Sequence, residues 1–219
     1  MQLFAQTPGY MGKRFTVMYT NSISPGFWTY LYGDRLHPVL SHTLKMNVIV
    51  SKQREICLAA QFSNRKIGII DNQFLPSTST VLYEKFGSLE YSFGLKRFNR
   101  SKFAPLGGYA KWDISYIMGW VKYAGYTTYS NDPAGNSETL HDGGSIAFKG
   151  VGGSYSRGRQ RVFKDKVVVD FGLRATLIGL TETKNTKNNY ESEIGSRVTG
   201  SLNLNPLVNV YIGIGFLAF

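Results

Sequence analysis

Apolar and polar residues alternate along most of this chain. Across residues 86–98, Leu89, Tyr91, Phe93 and Leu95 alternate with Ser88, Glu90, Ser92, Gly94 and Lys96, the period of a strand with one face in an apolar medium. Residues 109–123 set Ala110, Trp112, Ile114, Tyr116, Met118 and Trp120 against Tyr109, Lys111, Asp113, Ser115 and Ile117. Val167, Val169, Phe171, Leu173, Ala175 and Leu177 oppose Val168, Asp170, Gly172, Arg174, Thr176 and Ile178. Phe15, Val17 and Tyr19 begin a shorter strand. Leu44, Met46, Val48 and Val50, the polar turn 51–54, then Ile56, Leu58, Ala60 and Phe62 read as a hairpin. Residues 145–157 lose the phase at Gly150, Gly152 and Gly153, which predicts a strand with a bulge. Residues 207–219 are apolar on both faces.

About eight strands result, and their connections alternate in length. A long connection at 21–38 precedes the short turn 51–54; a second, at 66–81, precedes a moderate turn at 99–106. A long polar loop at 127–144 precedes a basic turn at 158–166, and the last connection spans 182–206. This predicts an all-β fold: a closed antiparallel up-and-down transmembrane β-barrel with a filled polar interior, long loops at one end and both termini at the other, periplasmic, end.

A soluble lipocalin-like barrel has the same strand count with the faces inverted, polar outside and apolar within. Two features favour the membrane form. Trp112 and Trp120 share a face, and at about 3.3 Å per residue and a tilt near 40° they lie roughly 20 Å apart along the axis, as two aromatic girdles do. The opposite faces carry both signs of charge, in Arg14, Lys45, Glu55, Glu90, Lys96, Lys111, Asp113, Asp170 and Arg174, groups that can pair inside a narrow lumen. A soluble sandwich with core tryptophans and a solvated sheet face uses the same residues, so both models stay open at this point.

Composition sharpens the picture only in part. Fourteen Tyr, fourteen Phe and 24 Gly suit many curved strands. No apolar run reaches the length of about 18 residues a spanning helix needs, so insertion must be by barrel. The net charge of +11 is dispersed without a nucleic-acid signature, which leaves no nucleic-acid partner expected. Cys57, the one cysteine, rules out an internal disulfide. Residues 1–6 read as the tail of a secretory signal, with 7–219 as a single barrel domain.

The last strand, Val208-Asn-Val-Tyr-Ile-Gly-Ile-Gly-Phe-Leu-Ala-Phe219, resembles the C-terminal strand of small bacterial outer-membrane β-barrel proteins. The stretch Gln6-Thr-Pro-Gly-Tyr-Met-Gly-Lys-Arg-Phe15 resembles the mature start of such barrels from Bacteroidetes-type bacteria. The resemblance implies a multi-pass outer-membrane location and contact with outer-membrane lipid and lipopolysaccharide. It also implies a terminal aromatic, Phe219, read by the barrel-assembly machinery.

Barrels of this kind include enzymes, so the histidines matter. Ser41 and His42 are adjacent, and adjacent strand residues point to opposite faces, which makes them a poor dyad. Asp34 with His37, and His141 with Asp142, resemble the rim groups of outer-membrane proteases, which are larger barrels. Metal-ligand spacing is missing, and no cofactor or metal is expected. The reading is a non-enzymatic integral membrane protein acting through its loops or its lipid-facing wall, with a possible protein partner. A rim enzyme, a small channel for hydrophobic solutes and a soluble ligand carrier are the alternatives.

Overall fold

The computed structural model describes residues 13–24, 39–66, 69–72, 79–99, 104–132, 135–182 and 207–218. Among these, β1 (Phe15–Ser24), β2 (Val39–Ser51), β3 (Arg54–Lys66), β4 (Ile69–Asn72), β5 (Ser79–Phe98), β6 (Gly107–Asp132), β7 (Gly135–Phe163), β8 (Val167–Glu182) and β9 (Leu207–Ala218) form one antiparallel sheet. Its order is β3-β2-β1-β9-β8-β7-β6-β5-β4, and β3 also pairs with β5. β3 and β4 succeed each other along the same edge of β5, so the ring closes with eight members. Closure leaves the wall without a free edge, which satisfies its backbone groups internally.

Closing the sheet gives each alternating face a side. On β1, Thr16, Met18 and Thr20 point inward while Val17, Tyr19 and Ile23 point outward. The outside is apolar around the whole ring: Leu44 and Met46 on β2, Leu58 on β3, Phe93 on β5, Ile212 and Phe216 on β9. Ile114 on β6 is 73% exposed, whereas the inward Glu55 and Lys96 are 0% and 2% exposed. A soluble carrier needs the reverse polarity, and that alternative is corrected here.

The short turns gather at one end with both ends of the described wall. At the β7–β8 turn, Lys164 and Asp165 take φ of 49° and 56°, the paired left-handed geometry of a tight hairpin that follows strand twist. Backbone bonds stitch this rim: Ala104 N–H donates to Lys52 O at 2.8 Å and Leu217 N–H to Lys166 O at 2.7 Å. Met18, Ile49, Phe98, Ala104, Val168 and Leu217 pack beneath it as an apolar plug.

At the other end two expectations change. Residues 127–144, read as a loop, are mostly strand: β6 and β7 keep one register from Gly107↔Gln160 to Asp132↔Gly135. Among the described residues β8 pairs with β7 up to Phe148↔Glu182, and β4, the start of β5 and the far halves of β6 and β7 continue as a sheet past that level. A strand outside the wall needs no apolar face, which is why its sequence carries no period-two signal. The second change concerns β7, which has no bulge at Gly150, Gly152 or Gly153; its register with β6 and β8 is unbroken there. A Cβ on the inward Gly152 would meet Ser115 Oγ and Leu177 O, each at 2.9 Å, so lumen crowding and not a bend explains it.

Candidate functional site

The lumen is organised around two cations that reach across it. Lys96 of β5 lies 3.5 Å from Glu55 Oε2 of β3 and 3.9 Å from Asp170 Oδ2 of β8. Its Nζ also donates to Gln160 Oε1 of β7 at 3.0 Å and sits 4.3 Å from the Tyr109 ring centre. The Tyr109 hydroxyl donates to Asp170 Oδ1 at 2.5 Å and lies 2.6 Å from the Tyr211 hydroxyl. One ammonium thus ties β3, β5, β6, β7 and β8, with Tyr211 bringing in β9.

Arg174 of β8 is the second. Its guanidinium donates to Ser154 Oγ at 3.0 Å, to Gln61 Oε1 at 3.0 Å and to Glu90, with which it forms an ion pair. Ser154 passes the network to Asp113 Oδ2 at 3.1 Å. Asp113 also pairs with Lys111 at 2.6 Å, two positions away on β6 and therefore on the same face. Lys45 lies over the Tyr211 ring at 4.5 Å, a cation–π contact. Arg14 sits half-buried just ahead of β1, its carbonyl accepting from Ile49 N–H at 2.8 Å.

Paired charges in a narrow, low-dielectric interior hold opposite walls in one geometry, since a partner that left would strand its mate. The mid-lumen keeps an open volume of about 30 Å³ between Thr43, Lys45, Gln61, Lys96, Arg174 and Tyr211, room for about one or two waters.

On the wall, Trp112 faces outward and packs against Tyr155, ring centres 5.4 Å apart. Trp120 shares that face and lies across Gly87, where a Cβ would come within 2.8 Å of the indole Nε1. High on the wall a polar cluster faces outward, with Ile23 and Leu40 beyond it: His42 Nδ1 lies 2.6 Å from the Tyr19 hydroxyl and 2.9 Å from Asn21 Oδ1. Ser41 turns inward, its hydroxyl 2.6 Å from that of Ser63, so Ser41 and His42 occupy opposite sides of the wall and form no dyad. The backbone of His141 is in β7 opposite Tyr126, a correction to its loop placement. Asp34, His37, Phe219, residues 1–6 and most of the Gln6–Phe15 stretch lie outside the described residues.

Gln61, Ser154, Gln160, Tyr109 and Tyr211 are lumen partners that charge alone did not single out. Parity signals Gln61 and Tyr109, which share a face with Glu55 and with Lys111 and Asp113; on β7 the charges Arg157, Arg159 and Arg161 face outward, so Ser154 and Gln160 lack that signal. For Tyr211 that signal is masked, because its inward neighbours on β9 include Gly213, Gly215 and Leu217.

No protein-family model matches the sequence, and no curated protein matches it. Among solved structures the chain is similar to Neisserial surface protein A, at 10% identity over 94% of this chain and 97% of that one, with a TM-score of 0.42. It is similar to Ail, the attachment invasion locus protein of Yersinia pestis, solved with the heparin analogue sucrose octasulfate: 9% identity, 94% and 97% coverage, TM-score 0.46. The N-terminal β-barrel domain of Pseudomonas aeruginosa OprF follows at 8% identity, 94% and 98% coverage, TM-score 0.33. These three are bacterial outer-membrane eight-stranded barrels, and what this chain has in common with them is architecture.

Proposed function

We propose that the chain is an integral outer-membrane β-barrel protein, non-enzymatic, with a filled lumen, that works through the sheet projecting from its long-loop end or through its lipid-facing wall. The observation that carries this reading is the height of the apolar band. On β3 the outward residues Ile56, Leu58, Ala60 and Phe62 are bounded by Arg54 below and Asn64 above. The ten steps from Arg54 to Asn64, at about 3.3 Å each and a tilt near 40°, set these polar bounds about 25 Å apart, the height of the apolar belt of an outer-membrane barrel.

An even strand number with short turns at one end also suits that membrane. In this orientation the short-turn rim faces the periplasm and the wall contacts lipid and lipopolysaccharide. The assembly machinery reads β9 with Phe219. β6, with 26 residues, follows about 80 Å of strand, more than twice what the belt requires. The surplus supports a protein partner at the projecting sheet.

The test is electrophoresis of the detergent-extracted membrane fraction, unheated and boiled. A compact band that slows on boiling is expected. Recovery without detergent, with no shift, would overturn the membrane assignment.

A further inference from the structure

At the short-turn end, the outer face changes from apolar to cationic along β3, β5 and β7. Arg54 of β3 stands opposite Arg97 of β5, both facing outward and exposed. Arg97 stands opposite Ala110 of β6, and Ala110 opposite Arg157 of β7. β6 thus places a methyl group, and at Gly108 no side chain, between two arginine-bearing strands about 10 Å apart. The result is a groove of about 420 Å³ on the wall, lined by Arg97, Asn99, Gly108, Ala110, Arg157 and the backbone of Gly158.

Like charges directly opposite each other destabilise a sheet pair, so a bound anion would stabilise this row. The lumen carboxylates are committed elsewhere: Glu55 and Asp170 to Lys96, Glu90 to Arg174, Asp113 to Lys111. Among the described residues, none pairs with Arg54, Arg97 or Arg157.

What lies next to the groove defines the anion. One step further along β6 and β7, Trp112 and Tyr155 pack together on the outer face, and Leu95, Phe93 and Ile114 continue the wall. Aromatic pairs of this kind mark the depth where hydrocarbon meets headgroups. A ligand here has its charge at the arginines and its tail on the apolar wall.

We infer that this groove binds the phosphate of a membrane phospholipid, clamped by Arg97 and Arg157 from either side of β6, with an acyl chain running over Trp112. Guanidinium groups bind phosphate oxygens in pairs, which suits two arginines that flank a space without side chains. The inference rests on the membrane reading above.

The experiment uses the whole chain, purified in detergent and checked for a compact unheated band. Native mass spectrometry then measures retention of phosphatidylglycerol, with glycerol 3-phosphate as the soluble phosphate. One retained phosphatidylglycerol per barrel is expected, reduced about tenfold or more in R97Q/R157Q, as loss of charged hydrogen bonds predicts. Ala110→Phe, which fills the groove and leaves both arginines, is expected to reduce it as well, while R161Q, outside the groove, leaves it unchanged. Equal retention in all variants overturns the site, and equal retention of glycerol 3-phosphate overturns the lipid as ligand. A compact barrel that retains no lipid defeats this inference alone; a chain with no compact form defeats the membrane reading and the site together.

Discussion

Single residues in this barrel are constrained by how little room closure leaves. Gly172 on β8 faces inward, where a Cβ would lie 2.6 Å from the Tyr211 hydroxyl and 2.7 Å from Gly158 Cα. Gly158 has the same relation to Tyr109, whose hydroxyl would be 2.6 Å away. These two glycines let the tyrosine hydroxyls meet in the lumen, where Tyr109 reaches Asp170. Replacing Gly172 with Val pushes Tyr211 off its partners, and overpacking of this kind costs about 1–3 kcal/mol. Gly179 on the same strand is exposed, and a Cβ there would have Val151 O, 3.8 Å away, as its nearest neighbour. Gly179→Ala is therefore expected to stay within about 0.5 kcal/mol of the parent. Urea unfolding midpoints in one lipid or detergent separate the two.

At the scale of elements, strands far apart in the ring are joined through charges. Lys96 links β5 to β3, β7 and β8 at one level, and Arg174 links β8 to β3, β5 and β7 at another. Lys96→Met keeps the volume and removes the charge, which leaves Glu55 and Asp170 buried without their cation. A loss of about 3–5 kcal/mol is expected, as for other broken buried pairs. Adding Glu55→Gln and Asp170→Asn removes the stranded charges and is expected to recover most of it. The temperature at which the compact band disappears reads both steps; equal values for the single and triple variants would show that the pairing has no such role.

For the whole molecule, the decisive quantity is the polarity of the outside. Val151 sits in the middle of the band, outward and in register with Tyr116, midway between Trp112 and Trp120. Val151→Arg is expected to cost about 2–4 kcal/mol for folding into vesicles, the penalty of a cation near the bilayer midplane. On a soluble barrel the same change would be neutral or would help solubility, so folding titrations in lipid decide between the two. The plugged short-turn end and the paired charges above it make the barrel a rigid support. The sheet that continues past the ring, in β4 to β7, is what distinguishes one end from the other.

The period of two was enough to assign Leu95 and Lys96, or Ile114 and Asp113, to opposite faces, because side chains on a strand alternate whatever the strand packs against. Connection lengths were enough to put the two ends of the described wall, in β1 and β9, with the short turns. Alternation carries no sign, however: it does not say which face is inside, and only the β3–β5 pairing that closes the ring turned the charged faces inward. Partners were equally invisible, since Lys96 and Asp170 are brought together by register around a ring and not by spacing along the chain. The strands beyond the wall, at 127–132 and 135–144, went unread because they need no apolar face. The groove between Arg97 and Arg157 exists only because β6 lies between β5 and β7, a fact of pairing that no single segment contains.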